Sequence, residues 1–426
     1  MGVIIREGGV ALAFFLAVAI KPNPSALFTL FNGAKVVIIL LRSYKKSKKS
    51  RIAVIDGNYL TFFVSLSPNL NTKQSMNLPE NVVCTQNADA ILSEIIKGVQ
   101  SKVFVLVDEN TAKHCLPLLS CISQSGASVI EIKSGEQYKN IDTLSVIWSN
   151  LSNGGADRKS LFVNIGGGVI GDMGGLAASL FKRGIKFVNV PTTLLAQVDA
   201  SCGGKLAVDF QNFKNEIGVF NNPYKVIVDS AFLKTLPQRQ IISGYAEMIK
   251  HALLVDRGYF ESLLPFDPKN PDYELLSQLV ETSIKIKNEF TSADPTEKGL
   301  RKMLNFGHTI GHAIESYSFS TPSPLLHGEA VAAGIICELF LSNHYMGFPL
   351  QNLIEVSKMI GTYFPSFRFG METYKTLIEL MHHDKKNSGG KISFSLVSQF
   401  GKYQYDVNCT DEDICQAFSF YNQMNI

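Results

Sequence analysis

Four side chains in the second half of the sequence could hold a divalent metal ion. The text NFGHTIGH sets His308 and His312 four residues apart, on one face of one helix. His327 follows in LHGEA at the start of a further helical stretch, and Glu247 lies upstream in GYAEMIK. Zinc takes imidazole nitrogen and carboxylate oxygen, and a catalytic zinc keeps three protein ligands with one position open. Two histidines and one glutamate from three helices meet that requirement. Gly307, Gly311 and Gly328 stand beside the histidines. Glycine weakens a helix interior by about 1 kcal/mol, so three of them predict the close approach of another group.

A second constellation could hold phosphates. NIGGGVIGDMGG at 164–175 satisfies G-x-G-x-x-G with Gly166, Gly168 and Gly171, after a predicted strand and before a predicted helix. Glycines there let backbone N–H groups approach a pyrophosphate at the helix N-terminus. A tight strand–helix turn gives the same text, so the fingerprint alone is weak. Asp172 follows directly and departs from a plain dinucleotide fingerprint. Pro191-Thr192-Thr193 places hydroxyls where the next strand ends, and SGEQYK offers Glu136 for a ribose diol and Lys139 beside it.

Cations sit in apolar text: Lys250 in AEMIKHALL, Lys205 in CGGKLAV, and Lys214 beside Asn215 in FKNEIGVF. Lys287, Arg301, Arg183 and the pair Lys385 and Lys386 in HHDKKN are further candidates. Any one of these is ordinarily a solvated surface charge. Several near glycine-rich turns suggest a pocket for a multiply anionic small molecule, such as one bearing a phosphate and a carboxylate.

These groups need a scaffold, and the pattern supplies one. VFVLV (103–107), SVIEI (128–132), LFVNI (161–165), FVNV (187–190) and VIV (226–228) read as buried parallel strands, with NVVC (81–84) as the first. Amphipathic segments at 88–98, 111–124 and 140–152 alternate with them, which predicts a doubly wound α/β domain. After Pro237, helix-period segments run at 240–255, 274–290, 305–317, 327–345 and 351–360, and a hairpin is expected over 392–407. The 426 residues, 46% hydrophobic and 18% charged, suffice for two such domains. Seven cysteines form no CxxC pair, which excludes Cys-based zinc ribbons and predicts reduced thiols in a cytoplasmic protein.

Residues 1–51 carry nine lysines and arginines and one acid, Glu7, whereas the whole chain is only +3. The body is therefore mildly acidic, which disfavours nucleic acid as its partner. The uncharged run at 8–20 is shorter than the ~20 residues of a membrane span. The arm reads as a surface anchor, a targeting segment, or text upstream of a true start at Met76, the last being preferred.

The motifs GGGVIGDMGG, PTTLLAQVDASCGGK, KNEIGVFNNP, GYAEMIKH, GLRKMLNFGHTIGHAIE and LHGEAVAAG, in this order, resemble 3-dehydroquinate synthases across about residues 100–407. The resemblance implies a Rossmann-like N-terminal α/β domain at 76–237, an all-α C-terminal domain at 238–426 and a homodimer; residues 1–75 lie outside it. It also implies NAD, a divalent metal (zinc, with cobalt as an alternative) and the substrate 3-deoxy-D-arabino-heptulosonate 7-phosphate. By motif, the metal ligands become Glu247, His308 and His327, and His312 becomes a substrate or proton contact. Cofactor positions become Asp108, the loop Ser134-Gly135-Glu136-Gln137-Tyr138-Lys139, and Gly168-Val169-Ile170-Gly171-Asp172. Thr192, Thr193, Lys214 and Phe232-Leu233-Lys234-Thr235 join them, with Lys205 shared between cofactor and substrate. Asp199, Asn215, Lys250, Lys287, Arg301, Asn305 and Lys385 match substrate-pocket positions, and Arg183 matches a phosphate-binding arginine. The implied reaction is oxidation by NAD, loss of phosphate, return of the hydride and closure of the ring, with no net redox change.

Three positions depart from the commoner family text: Cys202, Leu206 and Phe213. Leu206 is expected to remove a hydroxyl near the cofactor, and Phe213 to reshape a substrate loop. The rival readings are a sedoheptulose 7-phosphate cyclase, a metal-dependent polyol dehydrogenase and, resting on the arm alone, a non-enzymatic membrane-tethered module.

Overall fold

The computed structural model describes residues 76–424 apart from 201–202, 212 and 383–391, together with six short strands between residues 2 and 65. The chain divides into two compact units, Met1–Asn71 and Thr72–Ile426. In the first, β1 (Gly2–Glu7) and β2 (Val10–Phe15) form an antiparallel pair. A separate antiparallel sheet joins β3 (Ser25–Asn32), β4 (Lys35–Arg42), β5 (Arg51–Ile55) and β6 (Phe62–Ser65) in sequence order. The three readings of this arm turn largely on stretches outside the described residues. Among the described residues, no helix is long and apolar enough to cross a membrane.

The second unit begins with alternating strands and helices. In order they are β7 (Val82–Thr85), α1 (Ala88–Lys97), β8 (Val103–Asp108), α2 (Glu109–His114), α3 (Ser120–Ser125) and β9 (Ser128–Ile132). Then come α4 (Ile141–Asn153), β10 (Leu161–Gly166), α5 (Gly168–Leu180), β11 (Lys186–Pro191), the hairpin β12 (Lys205–Phe210) and β13 (Phe213–Phe220), and β14 (Lys225–Asp229). Six of these strands make one parallel sheet, ordered β7-β14-β11-β10-β8-β9. Strand alternation builds its two faces. Phe104 and Leu106 pack with Leu144, Phe162 and Leu176 on one side, and Val103, Val105 and Val107 with Leu92 and Ile227 on the other. Burial on both faces explains why the strands read as unbroken apolar runs.

One local expectation is corrected, and one element goes unsignalled. The helix expected over 111–124 is broken, because Pro117 starts a single tight turn at 116–118 between α2 and α3. The β12–β13 hairpin had no clear signal, since most of β13 is exposed and so lacks an apolar run.

From Gln238 onward the chain is mostly helical: α6 (Gln238–Val255), α7 (Arg257–Leu263), α8 (Tyr273–Ala293), α9 (His308–Ser318), α10 (His327–Met346), α11 (Leu350–Tyr363) and α12 (Met371–His382). The expected hairpin follows as β15 (Ser393–Gln399) and β16 (Lys402–Asn408), and α13 (Asp411–Gln423) ends the fold. Helix α10 is buried nearly all round and contacts α6, α9, α11, α13 and β15. It is the post against which the histidine-bearing α9 is set.

Candidate active site

Helix α9 has no side-chain cap of its own, because Gly307 precedes it in the left-handed conformation. A buried carboxylate on α10 does that work: Glu338 accepts from Gly307 N at 2.6 Å and from Ile310 N at 3.1 Å. An anion at a helix N-terminus is favoured both by the free N–H groups and by the dipole. The first turn of α9, with His308, is thereby fixed to α10, whose own first residue is His327. The glycines beside the histidines serve this packing. A Cβ on Gly307 would meet Ile335 at 2.6 Å, and one on Gly328 would meet Ser243 O at 1.8 Å. The close approach predicted by the glycines is that of neighbouring helices.

Both predicted ligand imidazoles turn the same nitrogen, Nε2, toward Glu247. His308 Nδ1 lies 3.1 Å from Phe306 O, and His327 Nδ1 lies 3.4 Å from Glu315 Oε2. Their Nε2 atoms stand 3.3 and 3.8 Å from Glu247 Oε1. A hydrogen bond at one ring nitrogen leaves the other free for a metal. The donor atoms of His308, His312 and His327 also lie within 4.8 Å of one another, so all four predicted groups share one site. Glu247 is wholly buried, and Lys250 Nζ meets its Oε2. Its Oε1, which faces both Nε2 atoms, accepts no well-formed hydrogen bond and is the oxygen left for a bound cation. The donor set, two imidazole nitrogens and a carboxylate, fits a divalent metal such as zinc.

Charge around the cluster is arranged in pairs. Lys250 Nζ pairs with Glu247 Oε2, and Lys287 Nζ pairs with Asp199, whose carbonyl it also meets. Burial alone would raise the carboxyl of Glu247, but the ammonium of Lys250 and then His308 outweigh it and hold it well below the ordinary range. Asp199 is likewise held low, with Lys287 overcoming burial. His308 is pushed down to about 3 by burial and by Lys250. For His327, burial is outweighed by the nearby carboxylates of Glu247 and Glu315, which raise it to about 9. Arg301 is buried and donates to Pro295 O at 2.9 Å and to Gly203 O at 3.3 Å. Lys205 pairs with Glu297, whose other oxygen accepts from Asn305 Nδ2 at 2.7 Å. Arg183 stands on an exposed turn at φ 67°, and no described contact brings it to this cluster. Lys385 lies outside the described residues, as do Lys386 and Cys202.

Most predicted cofactor residues lie at the carboxyl ends of the sheet strands, where open α/β sheets bind ligands, whereas Lys205 and Lys214 stand on the separate β12–β13 hairpin. Gly168 opens α5, and a Cβ there would meet nothing within 4 Å, so packing does not account for the glycine. Backbone at the start of this 13-residue helix therefore faces open space suited to a pyrophosphate. Lys139 is buried and bridges Asp172 at 2.6 Å to Asn215 Oδ1 at 2.7 Å, tying the 134–139 loop to α5 and β13. Burial opposes its charge, but Asp172 and Glu136 raise it above the usual lysine value. Asp108 caps α2 by accepting from Thr111 N at 2.7 Å. Ser134 donates to Glu109, and Gln137 and Tyr138 line a cleft of about 570 Å³ with Lys133 and Glu131. Thr192 is buried and its N–H donates to Gly166 O at 2.9 Å, while Thr193 accepts from Ala196 N. Phe232 and Leu233 are core residues, and Lys234 and Thr235 are exposed.

Leu206 is buried in the core of the sheet domain, beside Gly175 and Phe187.

The 3-dehydroquinate synthase N-terminal model matches residues 129–243, and the 3-dehydroquinate synthase C-terminal model matches residues 244–387. The chain belongs to the 3-dehydroquinate synthase family. A 3-dehydroquinate synthase from Parabacteroides distasonis is 44% identical over 346 residues, which span 81% of this chain and 98% of that protein. Among solved structures, 2-deoxy-scyllo-inosose synthase with carbaglucose-6-phosphate, NAD+ and Co2+ is 23% identical, with TM-score 0.70, over 79% of this chain and 95% of its own. The 2-epi-5-epi-valiolone synthase of Streptomyces hygroscopicus, with NAD+ and Zn2+, is 22% identical, with TM-score 0.72, over 83% and 99%. At that identity the two structures attest the fold.

Sequence reasoning about this 3-dehydroquinate synthase chain passed over three groups at the site. Glu315 holds His327, and it lies seven residues beyond His308, on the helix stripe that His312 already marks. Glu297 joins Lys205 to Asn305 from a loop at φ 58°, and no motif spacing signals it. His251, fully buried beside Lys250, bonds Ser283 Oγ through Nδ1 at 2.6 Å and reads in sequence as an ordinary helix residue.

Proposed function

We propose that this chain closes 3-deoxy-D-arabino-heptulosonate 7-phosphate to 3-dehydroquinate with release of phosphate, in the route to aromatic amino acids. The observation that carries this reading is the buried Glu247, whose Oε2 is paired with Lys250 while its Oε1 faces the Nε2 atoms of His308 and His327. Glu247, His308 and His327 would hold a divalent metal, and the carboxyl edge of the sheet around Gly168–Asp172 would hold NAD. When bound, the metal would acidify a substrate hydroxyl and NAD would take and return a hydride.

The remaining work falls to the protein's own side chains. Lys250, Lys287 and Arg301 are buried cations that neutralise the substrate's carboxylate and phosphate. Their present partners Glu247, Asp199 and the Gly203 carbonyl hold them in place before substrate arrives. His312 is half-buried, less enclosed than His308, and is suited to carry a proton to or from a ring oxygen. Lys205 and Asn305, joined through Glu297, orient substrate hydroxyls from the opposite wall.

We assign residues 76–237 to cofactor binding and 238–426 to the metal and substrate. A homodimer is supported by exposed aromatic surface on and beside β13, where Phe213 is 58%, Phe220 61% and Tyr224 51% exposed. A cytoplasmic setting is supported by six free cysteines among the described residues.

The test is phosphate release by purified protein given NAD, a divalent metal and either the seven-carbon acid phosphate or sedoheptulose 7-phosphate. Turnover of the acid phosphate without net NADH is expected. Turnover of sedoheptulose 7-phosphate alone would refute the substrate, and stoichiometric NADH would refute the closed redox cycle.

A further inference from the structure

Glu315 is a buried carboxylate with two different partners. It lies on α9, on the stripe that carries His308 and His312, and it is 6% exposed. Its Oε2 faces His327 Nδ1 at 3.4 Å, and its Oε1 accepts from Lys214 Nζ at 2.9 Å. The imidazole of His327 turns its other nitrogen, Nε2, toward Glu247 Oε1 at 3.8 Å. A ring gripped at Nδ1 by an anion has its orientation fixed and its Nε2 made more basic, the condition for a strong metal ligand. His308 has a neutral carbonyl, Phe306 O, in the equivalent place. The two imidazoles are thus held by different means, and only His327 depends on a charge.

We propose that Glu315 is a positioning residue for the metal centre, holding His327 by Nδ1 so that its Nε2 points at the metal, with Lys214 anchoring the carboxylate from β13. This rests on the assignment of Glu247, His308 and His327 as ligands. Lys214 reaches Glu315 from the hairpin that also carries Lys205, so one carboxylate joins a cofactor-side strand to the metal-side helices.

The experiment is a titration of the metal-stripped full-length protein with cobalt(II), followed by its visible absorption. Glu315→Ala should weaken binding by roughly 10–100-fold, with altered band shape as His327 loses its fixed orientation. Glu315→Gln, nearly the same shape, should fold normally by circular dichroism and give a smaller loss in the same direction. Lys214→Met should weaken binding less than Glu315→Ala does. Wild-type affinity in both Glu315 variants, alongside lost affinity in His308→Ala, would overturn the proposal while leaving the metal centre standing. A full loss reproduced by Lys214→Met would overturn it too, because the anchor and not the imidazole contact would then matter. Wild-type affinity in His308→Ala would overturn the metal centre itself, and this proposal with it.

Discussion

Lys250 and Glu247 stand three residues apart on α6, and their ammonium and carboxylate meet with both side chains almost wholly buried. The pair explains how a carboxylate without well-formed hydrogen bonds persists, ionised, inside the helical half. With a metal bound as proposed, Glu247 would answer to two cations, one covalently supplied and one bound. Removing one partner of a buried pair ordinarily costs about 3–5 kcal/mol, because the other charge is left uncompensated. Lys250→Met should therefore lower unfolding stability of the metal-free protein by roughly that amount. Added zinc should recover more stability in the variant than in the parent, since the ion takes over the missing charge. Urea titrations of both proteins with and without zinc measure this, and equal zinc effects would count against the role given to Glu247.

The ligand set makes a second prediction. His308 is held by a backbone carbonyl and faces Glu247, whereas His312 lies one turn along and is less buried. His308→Ala should lose bound metal after dialysis, while His312→Ala retains it and loses turnover. Metal content of the two purified variants decides the matter. Equal content would show that the three imidazoles share the ion.

How much of this was legible beforehand depends on whether a residue's task is local. Apart from Asp108 and Asn164, strands β8 and β10 are apolar because both sheet faces are covered, and the text alone says so. The His308/His312 spacing shows one helix face, and the G-x-G-x-x-G text marks the turn into α5. Glu338 and Glu315 were opaque for a different reason. Each acts across a gap between helices, and only the packing of α9 on α10 tells which acid reaches which N–H or ring nitrogen. The Pro117 break was visible in principle, but amphipathic flanks on both sides hid it.

Packing between α6 and α10 makes a third prediction. Gly328 directly follows His327, and its N–H donates to Ser243 Oγ at 3.0 Å. An added Cβ would sit 1.8 Å from the Ser243 carbonyl oxygen, a backbone atom that cannot swing aside. Overpacking of this kind costs about 1–3 kcal/mol or more. Gly328→Ala should lower the urea midpoint and, by pushing the first turn of α10 away, weaken cobalt(II) binding at His327. Gly347→Ala is the contrasting case. A Cβ there has open space but φ is +69°, so it should cost stability only, with metal affinity unchanged.

The loop that carries Glu297 gives a prediction about acid. Asp294 accepts from Gly299 N at 2.6 Å, Lys298 N at 3.1 Å and Arg301 N at 3.2 Å, folding residues 294–301 around one carboxylate. Burial tends to raise this carboxyl, but the backbone bonds, that from Gly299 first, together lower it below the usual value. A carboxylate whose pKa is lower folded than unfolded stabilises the fold above its unfolded value, about 3.9. That contribution is lost as pH falls through the lower folded value. Asp294→Asn should therefore cost about 1 kcal/mol at neutral pH, and the gap to the parent should narrow steadily below about pH 4. Urea midpoints at pH 7 and pH 3 test the sign, and a gap that widened in acid would mean the carboxylate is not what holds the loop. Because the same loop presents Glu297 to Lys205 and Asn305, the variant should also raise KM for the substrate at neutral pH.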